Sequence, residues 1–253
     1  MRPIVLAALL ALALPAAALA ASGSPSVPAY VTRAMADPAR GADRNDDARR
    51  QMAAVLTFAE AKPGDTVLEL VPGSGYWTRV FSGIVGPKGH VYTTWPKEMM
   101  AHLDKNFALW SKLAATPHYA NVSVIETPVA QLGVPARMDL VFTVQNYHDF
   151  HDFLDPAGMA KFDRQVYDAL KPGGLFVIVD HAAPAGSGLA DTDTLHRIDP
   201  AAVRKEVEAA GFVFDGESDV LRNPADPHTA KVFDPSIRGH TDQFVYRFRK
   251  PAE

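Results

Sequence analysis

Residues 67–78 read VLELVPGSGYWT, an apolar run with one acid, Glu69, that changes at Pro72 into the tight sequence Pro-Gly-Ser-Gly. A strand that ends in Gly-x-Gly and continues into a helix lets a ligand approach the backbone without meeting a Cβ atom. It also leaves backbone N–H groups available at the start of the helix. The stretch therefore predicts a strand, a ligand-binding turn and a helix, in that order.

Two phosphate-binding motifs fit this turn poorly. A dinucleotide fingerprint has a third glycine three residues after the second, where this sequence has Thr78. A P-loop continues as Gly-Lys-Ser/Thr, where this sequence has Gly75-Tyr76-Trp77. The turn therefore indicates a small-molecule site of another kind.

Apolar segments of strand length alternate with helical segments from Thr66 onward. This alternation is typical of a mostly parallel sheet that is covered by helices on both sides and binds ligands at the carboxyl ends of its strands. The last two candidate strands flank a long segment rich in Pro and Asp, residues 221–242, so we expect them to pair antiparallel. The predicted strands are residues 66–71, 90–94, 121–125, 139–144, 175–180, 212–219 and 243–249, and the predicted helices are residues 46–61, 76–85, 97–113 and 157–170.

The predicted fold class is therefore α/β: a three-layer, doubly wound, mostly parallel seven-stranded sheet with an antiparallel last strand. The chain has 253 residues, of which 47% are hydrophobic and 21% charged, as expected of one globular domain. A formal net charge of −4 does not favour nucleic acid or an anionic membrane, so we expect a small-molecule partner. The absence of Cys excludes disulfides and thiolate metal sites.

The first twenty residues, MRPIVLAALLALALPAAALA, have the order of a secretory signal peptide cleaved after Ala20. Their apolar run, residues 4–14, is shorter than the roughly 20 residues that cross a bilayer. We therefore expect export to the periplasm or the medium. Residues 21–28 are predicted to be a flexible mature N-terminus, and residues 29–61 a helical cover.

An ordered set of motifs resembles the class I S-adenosylmethionine-dependent methyltransferases across roughly residues 62–251. The set is VLELVPGSG, GPKGHVYTT, DLVFTVQNYHDF and ALKPGGLFVIVDH, followed by an antiparallel final pair. With LHRID, VLRNPADP and GHTDQFVYRFRKP it is most similar to the exported bacterial branch of predicted methyltransferases. The resemblance implies a methyltransferase-like domain at residues 62–253, S-adenosylmethionine as cofactor, and methyl transfer to an unidentified small molecule.

The resemblance also implies cofactor-binding residues. Glu69 would lie near the methionine part of the cofactor, and Gly73 and Gly75 would let the backbone pass close to it. Asn146 and Tyr147 follow the fourth strand, where family members position cofactor and acceptor. The remaining residues of the predicted turn are Val71, Pro72 and Ser74.

Three positions depart from the family pattern. Val71 replaces the first glycine of the turn, Trp95 stands where the family has an acid for the ribose hydroxyls, and Pro128 stands where an acid often faces the adenine amine. We predict that Glu98 replaces the first acid and that Trp95 stacks on the adenine. The departures favour an alternative function, a non-catalytic small-molecule-binding or scaffold protein of the same fold.

The segment NYHDFHDF, residues 146–153, is the predicted source of a catalytic base. Histidine titrates near neutral pH, so His148 is the first candidate, with Asp149 or Asp152 to orient it, and His181 is the second. The alternatives are a loop or capping role for His148 and a hydrogen-bonded strand-end role for His181. His148 and Asp152 lie one helical turn apart and offer two metal ligands, but the prediction assigns no metal.

Overall fold

The computed structural model describes residues 26–135 and 137–252. The predicted signal peptide, residues 1–20, lies outside the described residues. One sheet of seven strands forms the centre of the molecule. The strands are β1 (Thr66–Leu70), β2 (His90–Pro96), β3 (Val122–Thr127), β4 (Met138–Val144), β5 (Leu170–His181), β6 (Val213–Ser218) and β7 (Gln243–Arg249).

The strand order is β3-β2-β1-β4-β5-β7-β6. Neighbouring strands pair in parallel up to β5, and β7 is antiparallel to both β5 and β6. This order confirms the predicted doubly wound fold class. The carboxyl ends of β1 and β4 are adjacent at the centre of the sheet, where the chain turns to opposite sides, and such a position forms a crevice for a ligand.

Helices cover both faces of the sheet. They are α1 (Ala29–Met35), α2 (Met52–Ala59), α3 (Tyr76–Val85), α4 (Met100–Ala114), α5 (Tyr147–Phe150), α6 (Pro156–Ala169), α7 (Thr192–Leu195) and α8 (Pro200–Ala209). Successive strand residues point to opposite faces, so Val67 belongs to the apolar cluster under α1 to α4 and Leu68 to the cluster under α6 and α8. In the described part of the chain, no helix is both long and apolar enough to cross a membrane.

The helix predicted at residues 46–61 begins later than expected, at Met52. Gln51 has a left-handed conformation with φ 47°, and residues 38–46 form 3₁₀ turns. Asp47, near the predicted start of this helix, pairs with Arg40 and accepts a hydrogen bond from Tyr76 Oη at 2.7 Å. These tertiary contacts give the carboxylate stronger partners than the free N–H groups of a helix end.

Strand β5 also differs from its prediction, since it begins at Leu170 rather than at residue 175. Met138 pairs with Leu170 and Leu140 with Leu175, so the register shifts at the Pro-Gly-Gly sequence instead of the strand ending there. Lys171 stabilises this extension through an ion pair with Asp139 at 2.8 Å.

Candidate active site

Two residues with unusual backbone conformations face each other across the central crevice. Val71, directly after β1, has φ 50°, and Gln145, directly after β4, has φ 60°. A β-branched residue such as Val71 is rarely found with positive φ. The side chain of Asn146 holds the two turns together, because its Nδ2 donates to Val71 O at 3.1 Å and to Val144 O at 2.6 Å. Strain of this kind concentrates at ligand-binding sites.

The two glycines of the turn have different surroundings. A Cβ atom at Gly73 would meet nothing within 4 Å, so this backbone is open to a ligand. A Cβ atom at Gly75 would lie 1.9 Å from Nε1 of Trp110, which packs directly on the backbone and donates to Ser74 O at 3.0 Å. Gly73 fits its predicted role of close ligand approach, whereas Gly75 makes room for a buried tryptophan of α4.

A cavity of about 170 Å³ lies beside this turn. Its lining includes four of the predicted turn residues and the predicted Asn146. It also includes Arg50, from the segment before α2. The lining residues are Arg50, Glu69, Leu70, Val71, Pro72, Gly73, Ser74, Tyr76, Trp77, Val144, Gln145 and Asn146.

Arg50 brings a positive charge to this first cavity, which is called the glycine-loop cavity below. Its guanidinium lies 4.6 Å from the centre of the Tyr76 ring, and its buried Nε has no hydrogen-bond partner among the described residues. A buried charged donor without a partner is costly, so the position favours an anionic ligand group. Arg50 is therefore the strongest candidate for an anion contact in the cavity.

Glu69 lies on the same cavity and is 3% exposed. Burial raises the pKa of Glu69 to about 8, although a hydrogen bond from Thr78 Oγ1 and the charge of Arg79 act in the opposite direction. The carboxyl group is therefore mostly protonated at neutral pH. A cationic ligand group beside it would stabilise the carboxylate and lower this pKa.

A second cavity, of about 630 Å³, adjoins the first and shares Val71, Gln145 and Asn146 with it. Small-molecule sites typically have a volume of roughly 300–1,000 Å³, which the second cavity reaches and the first does not. A ligand held at the glycine turn would thus extend into the second cavity. Its other lining residues are Met99, Leu103, His148, Asp149, Asp152, Phe153, His181, Asp193, His196, Val232 and Phe233.

The second cavity is called the histidine cavity below. His148 is buried in its wall between two carboxylates. Its Nδ1 lies 2.8 Å from Asp180 Oδ1, and its Nε2 lies 3.0 Å from Asp149 Oδ1. Burial lowers the pKa of His148, but the two carboxylates outweigh burial and raise it to about 10. The predicted base therefore already carries a proton at neutral pH. Asp149 contacts it as predicted, whereas Asp180 is the partner that sequence reasoning missed.

The protonation state of His181 is the opposite of that of His148. Its Nδ1 lies 2.7 Å from Thr241 Oγ1, and burial lowers its pKa to about 4, with the nearby His148 and Arg197 acting in the same direction. The ring is neutral at neutral pH and lines the histidine cavity. Of the two predicted histidines, His181 is the one in the protonation state that a base needs.

Besides Gly75, three predicted cofactor residues line neither cavity. Trp95 is fully buried, donates to Thr93 Oγ1 and packs on Phe107, so its faces are covered by protein. Tyr147 is fully buried on the other side of the site, where its hydroxyl donates to Asp163 at 2.9 Å.

Glu98 is exposed, and its side chain accepts a hydrogen bond from Val129 N at 2.8 Å. The stacking role of Trp95 and the ribose role of Glu98 are therefore not supported by this geometry.

The long segment at residues 221–242 closes one side of the histidine cavity with Val232 and Phe233. A buried ion pair fixes the segment: Arg197 donates to both carboxylate oxygens of Asp226, at 2.8 and 3.1 Å, and also to Ala230 O. Arg222, near the start of the segment, pairs with Asp242 at its end. The segment is thus a fixed wall of the cavity in this structure.

Comparisons with known proteins agree with this architecture. A sequence model of the protein-L-isoaspartate(D-aspartate) O-methyltransferase family matches residues 28–126. The ubiquinone/menaquinone biosynthesis C-methyltransferase UbiE of Vibrio vulnificus (strain YJ016) is 27% identical over 187 residues, which cover 72% of this chain and 61% of the relative. This chain therefore spans about three fifths of that relative's length. A protein-L-isoaspartate O-methyltransferase of Methanosarcina mazei is 32% identical over 136 residues, covering 54% and 46% of the two chains.

Solved structures agree on the fold. A SAM-dependent methyltransferase from Aquifex aeolicus has a TM-score of 0.56 at 19% identity and covers 85% of this chain and 98% of its own.

The fold of this chain is that of the class I S-adenosylmethionine-dependent methyltransferases, and part of its sequence is similar to members of that group.

The [4+2]-cyclase SpnF has a TM-score of 0.60 at 16% identity, covering 81% of each chain. A class I methyltransferase fold therefore does not by itself determine the reaction, and the site has to be argued from its own residues.

In this chain the residues that sequence reasoning missed are Arg50, Asp180, His196 and the pair Arg197 and Asp226. The motifs LHRID and VLRNPADP contain the last three, but their contacts are formed only in the folded chain.

Proposed function

We propose that this protein is an S-adenosylmethionine-dependent methyltransferase that acts on a small molecule. The observation that supports the proposal best is the pair of adjoining cavities, which share Val71, Gln145 and Asn146 at the strained turns. One cavity offers a guanidinium whose buried Nε has no partner among the described residues, together with an open glycine backbone, and the other offers histidines beside an apolar wall. Two adjoining cavities of this kind suit a cofactor in one cavity whose reactive group lies beside an acceptor in the other.

The glycine-loop cavity has groups that complement the amino-acid end of the cofactor. Arg50 is proposed to hold the carboxylate, because its buried Nε lacks a partner among the described residues. Glu69 is proposed to accept from the ammonium group, and the bare backbone at Gly73 to lie against the ligand. When bound, S-adenosylmethionine supplies a methyl group made electrophilic by its sulfonium sulfur.

The histidine cavity is proposed to hold the methyl acceptor. Phe153, Val232 and Phe233 give it an apolar wall that suits an aromatic or other apolar molecule. The similar Vibrio protein is a C-methyltransferase of ubiquinone and menaquinone biosynthesis. His181 is the proposed base for an acceptor that must lose a proton, since Thr241 orients its ring in the cavity wall. Asn146 holds the two turns, and hence the two cavities, in a fixed position relative to each other.

The contact between Arg50 and an anionic ligand group is tested with Arg50→Met, which keeps an unbranched side chain of similar apolar character near the backbone and removes the charge. We expect S-adenosylmethionine to bind at least about tenfold more weakly, because a hydrogen bond to a charged group contributes roughly 1.5–3 kcal/mol. Arg49→Met is the matched control, since Arg49 pairs with Asp46 on the surface. Calorimetric titration of the three proteins measures the difference, and equal affinities would contradict the assignment of Arg50.

We further propose that the protein is exported, on the basis of the leader-like order of residues 1–20. Fractionation of producing cells and N-terminal sequencing check this proposal. A mature chain that starts at Ala21 in the periplasm or the medium is expected, and an uncleaved chain in the cytoplasm would contradict it.

A further inference from the structure

The histidine cavity contains a cluster of ligand atoms that methyl transfer does not explain. One ligand atom from each of His148, Asp149 and His196 lies within 4.8 Å of those of the other two. The Asp149 oxygen is 3.0 Å from His148 Nε2 and 3.3 Å from His196 Nδ1. Neighbouring ligands around one transition-metal ion, each bound at about 2.1 Å, are roughly 3–3.4 Å apart.

We propose that His148, Asp149 and His196 bind a divalent transition-metal ion. Two imidazoles and one carboxylate form a common ligand set for Zn²⁺ and Fe²⁺, whereas Mg²⁺ and Ca²⁺ prefer oxygen ligands. The proposal goes beyond methyl transfer and does not depend on it.

A second observation supports a metal rather than a chance cluster. Asp180, which is fully buried, lies 2.8 Å from His148 Nδ1 and accepts from the His148 backbone N–H at 2.9 Å. A carboxylate on the far nitrogen of a histidine fixes the ring and directs the other nitrogen at a metal. His148 is thus oriented on one side by a buried acid, and Nε2 is directed toward the other two ligands. A bound ion would replace the proton on Nε2, which would be released to solvent.

His196 is also held in place. It ends α7 with φ 53°, a conformation that is rare outside glycine and asparagine, and its ring packs 5.0 Å from that of Phe233. The neighbouring Arg197 is bound to Asp226 and to Ala182 O, which attaches this segment to the end of β5. The strained backbone therefore keeps an imidazole at the cluster.

The charge of the cavity favours a cation. Asp149, Asp152 and Asp193 line it, and none of its described lining residues is Lys or Arg. The three proposed ligands line the cavity together with Phe153 and Phe233, so an ion bound to them would have coordination positions open to the cavity. A small molecule with an oxygen or nitrogen donor would bind the ion there.

The test uses the full chain, purified without a histidine tag and treated with a chelator. Calorimetric titration with Zn²⁺ is expected to show one site with a dissociation constant at or below the micromolar range, and bound Co²⁺ is expected to develop visible d–d absorption. Mg²⁺ in large excess should not displace Zn²⁺. Absence of Zn²⁺ binding, or displacement by Mg²⁺, would overturn the proposal.

Variants locate the site. His196→Asn, which suits the left-handed backbone, should weaken Zn²⁺ binding at least tenfold, and Asp180→Asn should weaken it about 10- to 100-fold. His118→Asn is the control, because His118 pairs with Asp37 on the surface. If Asp180→Asn fails to fold, His196→Asn decides, and wild-type affinity in that variant would overturn the site. S-adenosylmethionine binding by the chelator-treated wild type is measured separately, so the proposed function stands or falls on its own result.

Discussion

At the glycine turn, Glu69 and Arg50 share one cavity but respond to burial in different ways. Arginine stays charged, and the carboxyl of Glu69 is mostly protonated at neutral pH because burial raises its pKa to about 8. The cavity is therefore net positive before a ligand binds. A zwitterionic amino-acid group would place its carboxylate on Arg50, and its ammonium group would lower the pKa of Glu69 so that this carboxyl group releases its proton to solvent.

The raised pKa of Glu69 makes stability depend on pH. The folded state holds the proton of Glu69 more tightly than the unfolded chain, in which the carboxyl group has its ordinary pKa of 4.5. The contribution of this proton to the free energy of unfolding is therefore fully present below about pH 4.5 and is lost as the pH rises through about 8. Glu69→Gln cannot ionise. Relative to the wild type, its unfolding free energy is expected to increase between pH 4.5 and 8, by on the order of 4 kcal/mol.

Urea denaturation of both proteins at pH 5 and pH 8.5 measures this difference. Asp163→Asn is the comparison, because burial also raises the pKa of Asp163 to about 8, away from both cavities. It should show the same pH trend without affecting S-adenosylmethionine binding. A stability difference for Glu69→Gln that is the same at both pH values would contradict the raised pKa.

At the scale of elements, the turn between β1 and α3 contains one glycine that allows close packing and another that is open to a ligand. Gly73 and Gly75 both have positive φ, at 56° and 77°, but only Gly75 is covered by Trp110. The helix α4 is thereby packed against the backbone of the turn. The same Gly-x-Gly pattern thus serves two purposes within three residues.

Alanine substitutions distinguish the two purposes. Gly73→Ala should cost about 1–2 kcal/mol, the strain of a left-handed alanine, and should weaken cofactor binding. Gly75→Ala carries the same strain plus overpacking against Trp110, so we expect a loss of about 3 kcal/mol or more. Chemical denaturation of the two variants measures this contrast, and equal losses of stability would contradict the packing role of Gly75.

The elements themselves were largely predictable from the sequence. Apolar runs bounded by Gly, Pro and Asp located all seven strands, because strand periodicity and turn residues are local properties. The start of α2 was not predictable, since Asp47 bonds to Tyr76, a residue far along the chain. The covering of Gly75 by Trp110 has the same origin: it depends on where α4 packs after the fold has formed.

The site was predicted only in part for the same reason. Residues that follow a strand in the chain, such as Gly73, His148 and His181, could be placed at the crevice because parallel strands end there. Arg50 and His196 reach it from segments whose position no local pattern determines. The protonation of His148 depends on Asp180, 32 residues away, and so required the structure.

For the whole molecule, the buried pair of Arg197 and Asp226 connects three distant parts of the chain. Arg197 also donates to Ala182 O after β5, and Asp226 accepts from Asp242 N before β7. Neither side chain of the pair is exposed to solvent. The pair therefore fixes the wall of the histidine cavity to the sheet.

Removal of one charge from this pair should destabilise the protein. Asp226→Asn leaves the guanidinium buried without its counter-ion, and such a change costs roughly 3–5 kcal/mol. Asp168→Asn is the control, because its pair with Arg164 is more than half exposed on each side and such pairs contribute less than about 1 kcal/mol. Urea unfolding compares the two, and losses of similar size would show that the buried pair has no special role.

The most direct test of the central claim is calorimetric titration of the purified protein with S-adenosylmethionine and S-adenosylhomocysteine. The two adjoining cavities predict that both ligands bind at one site, with dissociation constants in the micromolar range, about −8 kcal/mol. Absence of heat and of any thermal stabilisation at millimolar ligand would contradict a cofactor site. That result would support instead a binding or scaffold protein that retains the methyltransferase fold.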